Sequence, residues 1–118
     1  MTDAVTHWND VLLQIVRTGG GPPGPISRGA AMMHGAIYDA VNSIVGTHEP
    51  YLISAHAAAG ASIEAAVAHA AHDTLVAAFP STTVNIAGEL TTALSGLASP
   101  AAVAAGKEIG RASCRERV

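Results

Sequence analysis

The chain is poor in aromatic residues: Trp8, Tyr38, Tyr51 and Phe79 are the four among 118. Aromatic side chains are the largest single contributors to a core, so any core here rests on small aliphatic groups. Cysteine is scarcer still. Cys114 stands alone, which excludes an internal disulfide and is compatible with a reducing compartment. Six cationic residues face nine acidic ones, for a formal net charge of −3. That balance offers no basic footprint for nucleic acid and no polybasic patch for a membrane surface. Long apolar runs are missing as well. The nearest candidate, Ala55–Ala71, is broken by His56, Glu64 and His69, so it falls short of the roughly 18 uninterrupted residues of a spanning helix. The first ten residues include Asp3, His7 and Asp10 and no apolar h-region, so no signal peptide is read and a cytoplasmic location is the default expectation.

What is present is Ala, Val, Ile and Leu: the chain is 49% hydrophobic and 13% charged. This is the composition of one globular domain at most. The apolar residues recur at helical spacing. Val5–Arg17 reads as a first helix, with Trp8, Leu12, Ile15 and Val16 on one face, Asp3 or Thr2 as cap and Gly19 as stop. Gly19-Gly20-Gly21-Pro22-Pro23-Gly24-Pro25 follows. It lacks the Gly-Lys-Ser/Thr of a phosphate-binding loop, and its prolines remove donor N–H groups, so it reads as a rigid connector.

Ile26–Val45 reads as a second helix with Ser27 as candidate cap. At about 100° per residue, Met33, Ile37, Ala40, Val41, Ile44 and Val45 form one apolar face, while Arg28, Gly35, Asp39 and Asn42 gather opposite it. Gly46 closes the helix, and His48-Glu49-Pro50-Tyr51 reads as a turn. A third helix is expected over Ser62–Phe79, capped by Ser62, stopped by Pro80 and striped by Ile63, Val67, Ala71, Leu75 and Ala78. A fourth is expected from about Thr83 to Leu97, and a fifth begins at Ser99-Pro100, a cap followed by proline at the first helical position. No strand alternation and no internal repeat is found. The fold class is all-α: an irregular bundle of about five helices with close alanine contacts.

Composition shifts near the C-terminus. Arg111, Arg115 and Arg117 supply half of the cationic residues, and the only cysteine lies among them. From Ile109 onward the string resembles a translated sequencing-library adapter. Residues 1–107 are therefore read as the native helical bundle and 108–118 as a non-native tail that interrupts the fifth helix, with the natural protein expected to continue beyond Lys107.

Two clusters could carry chemistry. In His69-Ala70-Ala71-His72-Asp73, His69 and Asp73 are one turn apart and share a face. His69 and His72 are offset by about 60°, and spacing supplies no third ligand, whereas zinc takes three or four at tetrahedral geometry. The cluster reads as a solvated or interhelical His–Asp pair. In the second helix, His34 and Asp39 point about 140° apart and cannot hydrogen-bond within it. No Ser or Cys sits at an elbow to act as nucleophile, so His34, Tyr38, Asp39 and Asn42 read as interhelical hydrogen-bonding groups. No catalytic, cofactor-binding or metal-binding residue is assigned.

Several stretches together resemble the N-terminal helical part of vanadium-dependent haloperoxidases, which share a superfamily with type 2 phosphatidic acid phosphatases and bacterial acid phosphatases. They are Trp8-Asn9 with Leu12 and Leu13, Gly20-Gly21-Pro22-Pro23, Ser27-Arg28, and Ala31-Met32-Met33-His34-Gly35-Ala36-Ile37-Tyr38-Asp39-Ala40-Val41-Asn42. Pro50-Tyr51, Ala61-Ser62, Ala70-Ala71-His72-Asp73-Thr74-Leu75 and Phe79-Pro80 continue the series. The Met-His to Tyr-Asp-Ala-Val-Asn segment is the most specific part. The resemblance implies an enzyme of two helical bundles that uses peroxide to oxidise a halide, or a phosphatase of the same superfamily. Vanadate or phosphate would be held in the later bundle by Lys, two Arg, a Ser-Gly pair and His. No Ser-Gly-His triplet occurs here, since Ser95-Gly96 is followed by Leu97, and no family catalytic residue transfers. The expected partner is that C-terminal catalytic bundle. Without it the chain is expected to pack loosely or to self-associate. A self-contained helical interaction module is the rival from a different class.

Overall fold

The computed structural model describes residues 3–46, 60–97 and 99–115. They form five helices and no strand: α1 (Ala4–Gly19), α2 (Pro23–Val45), α3 (Ile63–Ala78), α4 (Ile86–Leu94) and α5 (Pro100–Arg115). The turn expected at His48-Glu49-Pro50-Tyr51 lies outside the described residues. No helix among those described is long and apolar enough to cross a membrane.

Side chains that satisfy orphan N–H groups set most of the helix starts. Asp3 accepts from the Thr6 backbone N–H at 2.9 Å, Ser62 from that of Ala65 at 3.1 Å and Ser99 from that of Ala102 at 3.2 Å. Two boundaries differ from expectation. The second helix begins at Pro23, not at a Ser27 cap, because Pro22 is extended and Pro23 sets the helical φ of the first turn. The fourth helix is shorter than Thr83–Leu97. Asn85 starts it by accepting from the Gly88 N–H at 3.0 Å, and Ser95 ends it ahead of Gly96, whose φ is +83°.

α3 is the central element and packs on each of the other four, most extensively on α5 and α2. Its Val67, Ala71 and Leu75 are buried as the stripe predicts, but Ile63 is exposed. Ala65, Ala66, Ala68, His69, Ala70 and Thr74 are buried too, so the helix is enclosed almost all round. Small side chains make this geometry available, because neighbouring helices approach to near backbone contact. The rest of the core is Trp8, Val11, Leu12 and Ile15 from α1, Met33, Ala36, Ile37 and Ala40 from α2, Ile86 from α4 and Ile109 from α5.

Asp39 and Asn42, placed opposite the apolar face and read as interhelical hydrogen-bonding groups, are buried, while Val45, assigned to the apolar face, is exposed. α2 touches both α3 and α5, so its buried arc extends past the apolar stripe into polar residues. The fifth helix is not interrupted after Lys107. It continues to Arg115 and buries Ile109, Gly110, Ser113 and Cys114.

Candidate functional site

Polar groups collect where α5 crosses α3. The approach is close because α5 presents glycine. A Cβ on Gly106 would collide with the Ser62 carbonyl oxygen and come within 3.1 Å of the Ala66 nitrogen. One on Gly110 would lie 2.6 Å from the Ala66 carbonyl oxygen and 2.9 Å from the His69 Cβ. This seats α5 directly over His69, which is only 4% exposed. Its Nδ1 has no hydrogen-bond partner among the described residues.

The anticipated His69–Asp73 pair does not form. Asp73 instead binds its neighbour: Oδ1 lies 2.7 Å from His72 Nδ1, and Oδ2 lies 3.9 Å from Arg111 Nε across the interface. Burial pushes the Asp73 carboxyl up, but the hydrogen bond from His72, with the charges of His72, Arg111 and His69, outweighs it and holds the group below its ordinary value. Burial lowers the His69 imidazole. Asp73 opposes that shift, and Lys107, Arg111 and His72 reinforce it.

The second cluster is divided between two surroundings. His34 Nε2 lies 3.0 Å from Asn9 Oδ1, tying α2 to α1, as the reading of interhelical hydrogen bonding expects. Asp39 is fully buried and is not part of that pair. His34, Tyr38 and Asn42 line an open groove of about 400 Å³ with Val5, Ile37, Val41 and Val45. Its lining is mainly apolar and offers no cation.

The glycine–proline connector reduces to Gly20–Pro22, with Gly20 and Gly21 at φ +65° and +116°. With Ile15, Phe79, Pro80 and their neighbours it borders a cleft of about 470 Å³, also without a charged side chain. Phe79 closes onto Gly29 of α2, where a Cβ would meet the ring at 2.6 Å.

A vanadate or phosphate pocket needs converging cationic donors. Arg17, Arg28 and Lys107 stand in the last turn of α1, the first turns of α2 and the middle of α5. None of the three lines either groove described above, and each stands on a different helix, so these three residues do not by themselves fit the group. No trio of His, Cys, Asp or Glu among the described residues could hold a metal ion.

Sequence reasoning missed the glycine contact of α5, although it had a signal: Gly106 and Gly110 are four apart and therefore share a face, opposite an alanine-rich helix. No protein-family model, curated protein or solved structure matches the chain.

Proposed function

We propose that this chain is the N-terminal helical scaffold of a vanadium-dependent haloperoxidase-like enzyme, with the oxyanion chemistry carried by residues outside it. One observation carries the reading. Segments that bear the resemblance, far apart in sequence, meet in space: Asn9 with His34, and Phe79-Pro80 with Gly20 and Pro22 around one cleft. The most specific segment lies on α2 and turns Met33, Asp39, Ala40 and Asn42 inward. Residues turned inward in this way contribute to the packing of a scaffold. In the whole enzyme vanadate would act as Lewis acid for peroxide. None of the side chains described above would bind it.

The decisive experiment is to determine the residues encoded after Lys107 in an independent copy of the locus. A Ser-Gly-His stretch followed by a later Arg and His supports the enzyme reading. A stop codon soon after Lys107 overturns it. In parallel, the purified chain with vanadate, peroxide and bromide is expected to show no halogenation above the protein-free rate. It is likewise expected not to hydrolyse a chromogenic phosphate ester. Turnover abolished by a substitution such as His34→Ala would place a site within this chain and overturn the scaffold reading.

A self-contained helical module is the second reading. The radius of gyration of 13.5 Å favours it, because a compact domain of this length has about that value. A monodisperse monomer with a sharp cooperative melt supports the module. Concentration-dependent size in gel filtration supports the scaffold that lacks its partner bundle.

A further inference from the structure

We propose that the α3–α5 contact at His69 is a pH-responsive latch, closed while the imidazole is neutral and loosened when it takes up a proton. The latch belongs to the chain as it stands, Ile109–Arg115 included. It goes beyond the scaffold reading and does not depend on it.

The geometry leaves His69 little room to adjust. Gly106 and Gly110 bring the α5 backbone against Ser62, Ala66 and Ala70, and Gly110 lies over the His69 Cβ. The side chain is 4% exposed and its Nδ1 makes no hydrogen bond among the described residues. A neutral imidazole tolerates one unfilled nitrogen far better than an imidazolium does. The cation presents two N–H donors and a full charge, and burying an unpaired charge is much the costlier.

The surroundings do not supply the missing compensation. Four charged or titratable groups act on His69: Asp73 and His72 from its own helix, Lys107 and Arg111 from α5. Asp73, the one anion, already binds His72 at 2.7 Å and faces Arg111 at 3.9 Å. A proton on His69 therefore adds positive charge beside Lys107 and Arg111, where the nearest carboxylate is already engaged. Opening the contact admits water to the ring and separates it from Lys107 and Arg111.

The sign follows from the lowered imidazole pKa. The closed contact binds fewer protons than the open one, so closure is fully favoured above the ordinary imidazole value of about 6.5 and weakens as pH falls through it. If the closed form excludes the proton altogether, the open-to-closed ratio rises at most about tenfold between pH 7.5 and 5.5.

Amide hydrogen exchange on the full chain tests this, with protection corrected for intrinsic rates at each pH. Between pH 7.5 and 5.5, protection in α5 and in the facing turns of α3 is expected to fall by up to about tenfold, with α1 changing less. His69→Gln is expected to flatten this dependence, and His72→Gln to retain it. Unchanged α5 protection overturns the proposal, as does full pH dependence in His69→Gln. An equal loss across all five helices also overturns it, since that is global unfolding. Should His69→Gln fail to fold, titration of the His69 ring by NMR in the unmodified chain decides. A value below that of an exposed histidine supports the latch, and one at or above it overturns it.

Discussion

Gly106 and Gly110 determine how close α5 comes to α3. In a helix interior, alanine normally stabilises relative to glycine by up to about 1 kcal/mol. Here the sign reverses, because the atoms a Cβ would meet at Gly110 include the Ala66 carbonyl oxygen and the Ala70 nitrogen. These are backbone atoms, and no rotamer change relieves them. Gly110→Ala is expected to destabilise the chain by about 1–3 kcal/mol, read as a lower urea midpoint. Gly24 in α2 has nothing within 4 Å of its Cβ position. Gly24→Ala is therefore the control, expected to be neutral or mildly stabilising. A Gly110→Ala variant as stable as the Gly24→Ala one would show that the two helices can part without loss.

At the scale of the element, the composition and the structure of α5 lead to different expectations. Arginine and serine near Cys114 suggest a tail that contributes nothing, and removing residues 109–118 is then expected to leave the melt unchanged. The structure leads to the opposite prediction. Ile109 and Cys114 are nearly fully buried, and Gly110 and Ser113 are enclosed beside them. Burying one isoleucine side chain stabilises by about 1.5–3 kcal/mol. Ending the chain after Glu108 is expected to lower stability by at least about 2 kcal/mol and to reduce helicity. Thermal and urea unfolding of the shortened chain measure this. An unchanged midpoint would show that the last turns of α5 do not dock in solution. The helix starts were easier to anticipate. Asp3, Ser62 and Ser99 carry side-chain oxygens at the first N–H groups, a local arrangement that sequence spacing exposes. Pro23 and Asn85 displaced two boundaries, because each is a stronger local starter than the residue expected there.

For the whole molecule, Asp73 links stability to pH on the acid side. Its carboxyl is held below the ordinary aspartate value of 3.8. Its contribution is therefore present above that value and lost as pH falls through the folded-state value. Stability measured in urea between pH 5 and 2 is expected to drop, and Asp73→Asn to be less stable at pH 7 and to show a shallower drop. An acid limb identical to that of the unmodified chain would mean that the His72 and Arg111 contacts contribute nothing. This window lies below that of His69, so the two titrations separate.

Local information determined the all-α class, the number of helices and most of their limits. Periodicity, capping residues and breakers act within a few positions of one another, and Val67, Ala71 and Leu75 of α3 needed nothing more. Only the tertiary structure decided which faces are covered. A polar face becomes interior when a second helix lies against it, as Asp39 and Asn42 do on α2, which touches both α3 and α5. Likewise, the His69–Asp73 spacing permits a pair that His72 and Arg111 take over instead. Small residues explain both outcomes. Alanine and glycine have little side-chain shape to direct packing, so the partners of each helix follow from how closely backbones approach across the bundle, which helical spacing does not encode.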